Sequence, residues 1–292
     1  MRDQAEQLRM KMMQNSDNKV LGKSIAVVSG KGGVGKSNFT TNFSTMLAKS
    51  GKKVVILDMD IGMGNVHILL GKTVQYSLKD YLDGSCSVDQ VTFEGAHNLD
   101  YISGGSGMST LLEWTEETFN ALIAAFEYLQ KNYDYILFDM GAGATSWSLD
   151  LLTTIDEIIV ISTAEPTAIM DAYSMMKYIH LKDTDKTFYV LCNRAFNREE
   201  GMDTVNRLSG AMQKFLSKEV VVLGSLPEDP VVRKSVKEQV PFSILYPQAP
   251  ITKTLEEIVT KFFNHQIEEV HATSSSKGFL NKLKGMFLKG RD

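Results

Sequence analysis

A chain of 292 residues, 43% hydrophobic and 23% charged, is long enough to bury one large core and too apolar to remain disordered. Its formal net charge of −4 excludes binding to nucleic acid through overall charge, so no nucleic acid partner is expected and any anionic surface has to meet a local basic patch. Two cysteines, Cys86 and Cys192, are too few for a disulfide framework or a thiolate metal site; with no apolar run of about 18 residues and no apolar signal core near Met1, a cytoplasmic protein is expected.

Residues 1–20 form a polar leader in which Ala5, Leu8 and Met12 would share one face of a short helix. Ile25–Val28 reads as a strand that runs into the loop Gly30-Lys31-Gly32-Gly33-Val34-Gly35-Lys36-Ser37, and a helix follows over Lys36–Lys49. Strands are predicted at Val54–Asp58, Tyr135–Asp139, Ile158–Ser162, Phe188–Asn193 and Val220–Gly224, and helices at Glu116–Lys131, Ala168–Leu181, Met202–Leu216 and Ile251–Phe263. Apolar strands that alternate with helices predict one doubly wound α/β domain over 22–268, its mostly parallel sheet covered on both faces, with ligands beyond the carboxyl ends of the strands. A linker at 269–277 separates this domain from a last segment, 278–292.

The glycines let backbone N–H groups turn inward around phosphates, and the helix start at Lys36 adds a favourable field. Lys36 suits the β- and γ-phosphates of ATP, the Ser37 hydroxyl suits Mg²⁺, and Asn38 continues the nucleotide-binding run. Lys31 is different, because a lysine at the start of the loop points along its surface and reaches its own γ-phosphate poorly. Asp58 and Asp60 end one strand on the same side of the extended chain. Asp139 ends another, the Walker B pattern, and reaches Mg²⁺ through water. Asn193 carries an amide with donor and acceptor, which suits an adenine edge. Glu165 and Asp171 follow the strand at Ile158–Ser162; either can meet Lys31 or a partner's ribose, and both can equally be first-turn acids of a helix.

The loop with its second lysine, the Asp58-Met-Asp60 strand end and Tyr135–Gly143 together resemble the deviant Walker A P-loop ATPases of MinD/ParA type, which include nitrogenase iron protein, across the whole α/β core. The resemblance implies a homodimer that sandwiches ATP, with Lys31 crossing to the phosphates of the opposite subunit. It also implies that Asp60 positions or polarises the attacking water, that Asp58 supports the metal shell, that Asn193 and the adjoining Arg194 read adenine, and that Pro227 and Asp229 belong to a segment folding over the base. Lys31, Lys36 and Asp60 are then the catalytic set. Gly141 stands where that family more often has Pro, which implies a looser second switch.

In the last segment, Phe279, Leu280, Leu283, Met286 and Phe287 share one helix face, with lysines outside it, the pattern of a helix lying on an anionic membrane surface. A helix docked on the core is the other outcome of the same stripe. The leader Asp3-Gln4-Ala5-x-x-Leu8-Arg9 resembles that of the flagellar number regulators of the FlhG (YlxH) group. This implies that Asp3, Gln4, Ala5, Leu8 and Arg9 stimulate a flagellar SRP-type GTPase (FlhF), with flagellar basal-body C-ring proteins as further partners. The expectation is an ATP-driven switch, reversibly peripheral on the inner face of the cell membrane; the alternative is a cell-division-site or DNA-partition ATPase of the same type.

Overall fold

Val54–Met59, Tyr135–Met140 and Glu157–Ser162 each bury all six of their side chains, which is possible only for strands covered on both faces. The structure, a computed structural model, describes residues 21–60, 64, 66–105, 115–143, 146–272 and 278–289. In chain order its elements are β1 (Lys23–Val28), α1 (Lys36–Lys49), β2 (Val54–Met59), α2 (Val66–Leu69), α3 (Leu78–Leu82), α4 (Val88–Val91), β3 (Phe93–Glu94), β4 (Leu99–Ser103), α5 (Glu116–Asn132), β5 (Tyr135–Met140), α6 (Ser146–Thr154), β6 (Glu157–Ser162), α7 (Pro166–Lys182), β7 (Thr187–Ala195), α8 (Arg198–Leu216), β8 (Val221–Pro227), α9 (Pro230–Glu238), α10 (Phe242–Leu245), α11 (Pro250–Ala272) and α12 (Phe279–Lys289).

The strands form one sheet in the order β3-β4-β2-β5-β1-β6-β7-β8, parallel throughout except for β3 against β4. One apolar core lies between the sheet and α5, α6, α7, α8 and α12, and a second lies between the sheet and α1 and α11. The expected doubly wound fold is therefore present, with all six predicted strands and five predicted helices. Strands β3 and β4 and the helices α2, α3, α4, α6, α9 and α10 are additional. Among the described residues no helix is long and apolar enough to cross a membrane.

Two boundaries are corrected. Helix α11 continues to Ala272, past the expected end of the domain at 268. Its polar last turns stay helical beyond Phe263 because Gln266 donates to both Glu157 oxygens at 2.8 Å and to the Tyr189 hydroxyl at 2.7 Å, and a buried amide with its partners satisfied is stable where an unpaired one is not.

The second correction concerns the C-terminal helix, which is not held apart from the core. Phe279 and Leu283 of α12 are buried, and the Phe279 ring lies 5.2 Å from Phe126 of α5 and 6.0 Å from Phe138 of β5. Leu280 packs half-buried against the same cluster. Lysines outside the stripe find acids on the rim, Lys282 with Asp183 at 2.8 Å and Lys284 with Glu127 at 2.9 Å. An aromatic groove flanked by carboxylates satisfies an apolar stripe flanked by lysines as a lipid surface would. The side chains of Met286 and Phe287, the linker residues 273–277 and the leader residues Asp3, Gln4, Ala5, Leu8 and Arg9 lie outside the described residues.

Phe279→Ala is expected to release α12. Truncating a buried Phe costs about 3–5 kcal/mol when its surroundings stay fixed, but a tethered helix can swing away, so the loss is capped at the docking energy. The fold should survive with a lower melting temperature, and trypsin should cut at Lys282 and Lys284 faster than in the wild type. Unchanged cleavage there would show that the ring does not hold the helix.

Candidate nucleotide-binding site

The loop between β1 and α1 turns through Gly33 (φ 78°) and Gly35 (φ 89°), a left-handed backbone that glycine adopts without a Cβ penalty. Gly35 caps α1 with no side-chain hydrogen bond, and the first turn of α1 has no acid, so its N–H groups and positive dipole end face an incoming phosphate uncontested. Gly30 is packed against the Asp171 backbone, where a Cβ would lie 2.2 Å from the Asp171 carbonyl carbon. Gly32 is exposed, Val34 is buried beneath the loop, and Ser37 lies in the first turn of α1.

Neighbouring strands bring the acids together. Asp58 on β2 pairs in register with Asp139 on β5, both fully or nearly fully buried. Lys36 Nζ donates to Asp139 Oδ1 at 3.0 Å, and the Thr40 hydroxyl lies at the same distance from that oxygen. Asp139 Oδ2 is buried with no hydrogen-bond partner among the described residues, which suits a cation or water at this oxygen. Burial, and then the adjacent Asp139 carboxylate, push Asp58 up to about 6. Two buried carboxylates sharing one lysine leave negative charge that a divalent cation would relieve. The carboxylates of Asp58 and Asp139 are oxygen donors of the kind Mg²⁺ takes, and Ser37, at the start of α1, would supply a hydroxyl. Asp60 is half-buried and lies over the chain leaving β5: a Cβ on Gly141 would come 3.2 Å from Asp60 Oδ1.

On the far side of the loop, a cavity of about 300 Å³ is lined by Asn38, Asn193, Arg194, Pro227 and Asp229 among others. All five were expected to bind nucleotide. Asn193 Nδ2 donates to the Val34 carbonyl at 2.8 Å, leaving Oδ1 as the acceptor, which complements the amine of adenine and not the carbonyl of guanine. Arg194 holds a left-handed φ of 58°, with Nε on Glu228 at 2.7 Å and a long contact to the Gly33 carbonyl at 3.5 Å. Asp229 also caps α9 through the Val231 amide at 3.0 Å. Phe39, Arg233, Phe242 and Ile251 also line it. Sequence spacing gave no sign of these four, since three of them come from segments that meet the loop only through the fold.

Lys31 does not join the phosphate cradle. Its Nζ donates to Glu165 Oε2 at 2.6 Å and to Thr167 Oγ1 at 3.2 Å, on an open face where the Lys31 and Glu165 side chains remain 42% and 60% exposed. The hydrogen bond from Lys31, and then its charge, hold the Glu165 carboxyl below its usual value. Of the two candidate acids, Glu165 meets Lys31, while Asp171 touches Gly30 through backbone.

This fold and this site define a P-loop NTPase, with places for an adenine nucleotide and Mg²⁺. The chain belongs to the ParA family of P-loop NTPases: the family model described as ParA, "NUBPL iron-transfer P-loop NTPase", matches residues 20–263. It is similar to the antiactivator FleN of Pseudomonas aeruginosa, 30% identical over 81% of this chain and 85% of FleN. It is also similar to the flagellum site-determining protein YlxH of Helicobacter pylori, 30% identical over 83% of this chain and 82% of YlxH. Among solved structures, the septum site-determining protein MinD of Pyrococcus horikoshii, complexed with Mg-ADP, superposes with a TM-score of 0.68 at 24% identity, covering 84% of this chain and 98% of that one. The resemblance to MinD/ParA-type ATPases is borne out.

Proposed function

We propose that this protein is an ATP-driven positioning switch for flagella: ATP favours a two-fold dimer, and hydrolysis returns the monomer. The observation that carries the reading is Lys31, turned away from its own phosphate cradle onto an exposed face beside it. On ATP entry Lys36 exchanges Asp139 for phosphate oxygens, Lys31 exchanges Glu165 for the partner's phosphates, and Asp60 orients the water that attacks the γ-phosphorus. The bond to the β–γ bridging oxygen breaks, giving ADP and phosphate. Bound Mg²⁺ supplies charge neutralisation on the phosphates.

The flagellar assignment is supported by the similarity to FleN and YlxH and by the leader motif, and it names the flagellar SRP-type GTPase FlhF and the basal-body C-ring proteins as partners. Membrane attachment requires α12 to leave its groove, because Phe279 and Leu283 cannot face the protein core and lipid together. A dimer presents two released helices, and avidity then strengthens a weak anchor without new contacts.

Light scattering with ATP and with ADP tests the switch; the same monomeric mass in both would remove it. For the flagellar link, a peptide of residues 1–20 is expected to stimulate the FlhF-type GTPase, and Gln4→Ala in the whole protein should abolish stimulation while ATP turnover is unchanged. If GTP turnover ignores the peptide, the cell-division reading suggested by the 28% identity to Helicobacter pylori MinD takes its place.

A further inference from the structure

We propose that Asn42 is a positioning residue for nucleotide recognition: from the second turn of α1, whose start carries the phosphate loop, it pins α10 and so sets where Phe242 walls the base cavity. The inference rests on the reading of the cavity beside Asn193 as the place of the nucleotide base.

Asn42 is 1% exposed and lies inside a helix, where asparagine is a poor helix former and a buried unpaired amide is costly. Its amide is paired at both ends. Nδ2 donates to the Asn38 carbonyl at 2.8 Å, one turn back along α1, and Oδ1 accepts from the Ser243 backbone amide of α10 at 2.9 Å. A carbonyl only accepts and a backbone N–H only donates, so the two partners fix which way the side chain is turned. An ionised aspartate in its place lacks the donor, and a leucine lacks both groups. Ser243 is held a second time: Lys49, two turns further along the same face of α1, donates from Nζ to the Ser243 carbonyl at 2.6 Å. Helix α1 thereby grips both backbone polar groups of one buried residue of α10.

Phe242, the residue before Ser243, is buried and lines the base cavity together with Asn38 and Phe39 of α1. Helix α10 is only four residues long, too short to be stable through its own hydrogen bonds, so its place against α1 depends on tertiary contacts such as these. The phosphate end of the site is built at the first turn of α1 and the base end against Phe242. Asn42 joins the two and sets the distance between them. Without that pin the wall spends only part of its time in the binding position, and the apparent Kd rises by the inverse of that fraction. The glycine loop and Lys36 hold phosphates through groups that do not depend on α10, so the loss falls on the base and spares the phosphates.

Asn42→Leu keeps the side-chain volume and removes both polar ends. In calorimetric titrations of the nucleotide-free protein with Mg²⁺, its Kd for ADP should rise by about 10- to 100-fold, while its Kd for inorganic pyrophosphate should not change. Hydrogen exchange at the Ser243 amide should quicken by roughly tenfold or more. Lys49→Met, which keeps the stem and loses the charge, should show the same split with a rise for ADP of about three- to tenfold, and it decides the matter if Asn42→Leu does not fold. Wild-type ADP affinity in either variant, or wild-type exchange at Ser243 in Asn42→Leu, would overturn the inference. Equal weakening of ADP and pyrophosphate would mark Asn42 as merely structural and overturn it as well. If the unsubstituted protein binds pyrophosphate as tightly as ADP, the reading of the cavity as the base site fails by itself, and exchange at Ser243 still decides whether Asn42 holds α10.

Discussion

With ATP and Mg²⁺ present, Lys31→Ala is expected to stay monomeric at concentrations where the wild type is dimeric, and to bind ATP and ADP with unchanged affinity. The two lysines of the loop occupy different electrostatic positions. Lys36 is buried against Asp139, within reach of the nucleotide's own phosphates, and its loss would weaken binding to a single chain. Lys31 is held by Glu165 and Thr167 on the outer face, and nothing in the monomer's phosphate cradle depends on it. Removing it leaves the backbone N–H groups and Lys36 in place and removes only what it does for a second subunit. A charge-assisted contact made twice by symmetry implies a loss of dimer affinity of about two to four orders of magnitude. Mass by light scattering over a concentration series, paired with a fluorescent-nucleotide titration, reads both quantities. A variant that dimerises like the wild type, or that loses nucleotide as a monomer, would place Lys31 in its own cradle and defeat the cross-subunit reading.

Asp60→Ala is expected to lower ATP turnover by about 10²- to 10⁴-fold, the range for an orienting or proton-accepting group at the attacking water, without reducing ATP affinity. Asp60 lies over Gly141, at the exit of the Asp139 strand. ATP should remain bound in the variant and the dimer should accumulate, giving a state opposite to that of Lys31→Ala. The two substitutions thus separate assembly from chemistry: one yields nucleotide-bound monomers, the other long-lived dimers. Single-turnover hydrolysis checks the step itself, and wild-type rates in the variant would take Asp60 out of the mechanism.

Most of the phosphate end of the site was legible in the sequence because its requirements are local. A left-handed turn needs glycine, a phosphate needs a lysine at a fixed place after the strand, and a buried strand that ends in aspartate has few structural reasons to do so. The pairing of Asp58 with Asp139 was implicit in two strand ends, but only the β2–β5 register puts the carboxylates side by side. Strand β4 escaped notice because Asp100 interrupts its apolar run. The partner of Lys31 was left open between two acids more than 130 residues away, since sequence distance carries no information about which helix end meets a loop.

Taken alone, the sequence determined the α/β class and the glycine loop, and it singled out the strand-end carboxylates and Asn193 as candidates, because each follows from a backbone or chemical constraint met within a few residues. The tertiary structure decided what local pattern leaves ambiguous. An apolar stripe flanked by lysines has the same period whether lipid or protein covers it, and only the Phe126–Phe138 groove with Asp183 and Glu127 on its rim put α12 on the core. The pairing of Asp58 with Asp139 and the turn of Lys31 toward Glu165 arise in the same way, from side chains that strand order and helix packing bring together across long stretches of chain.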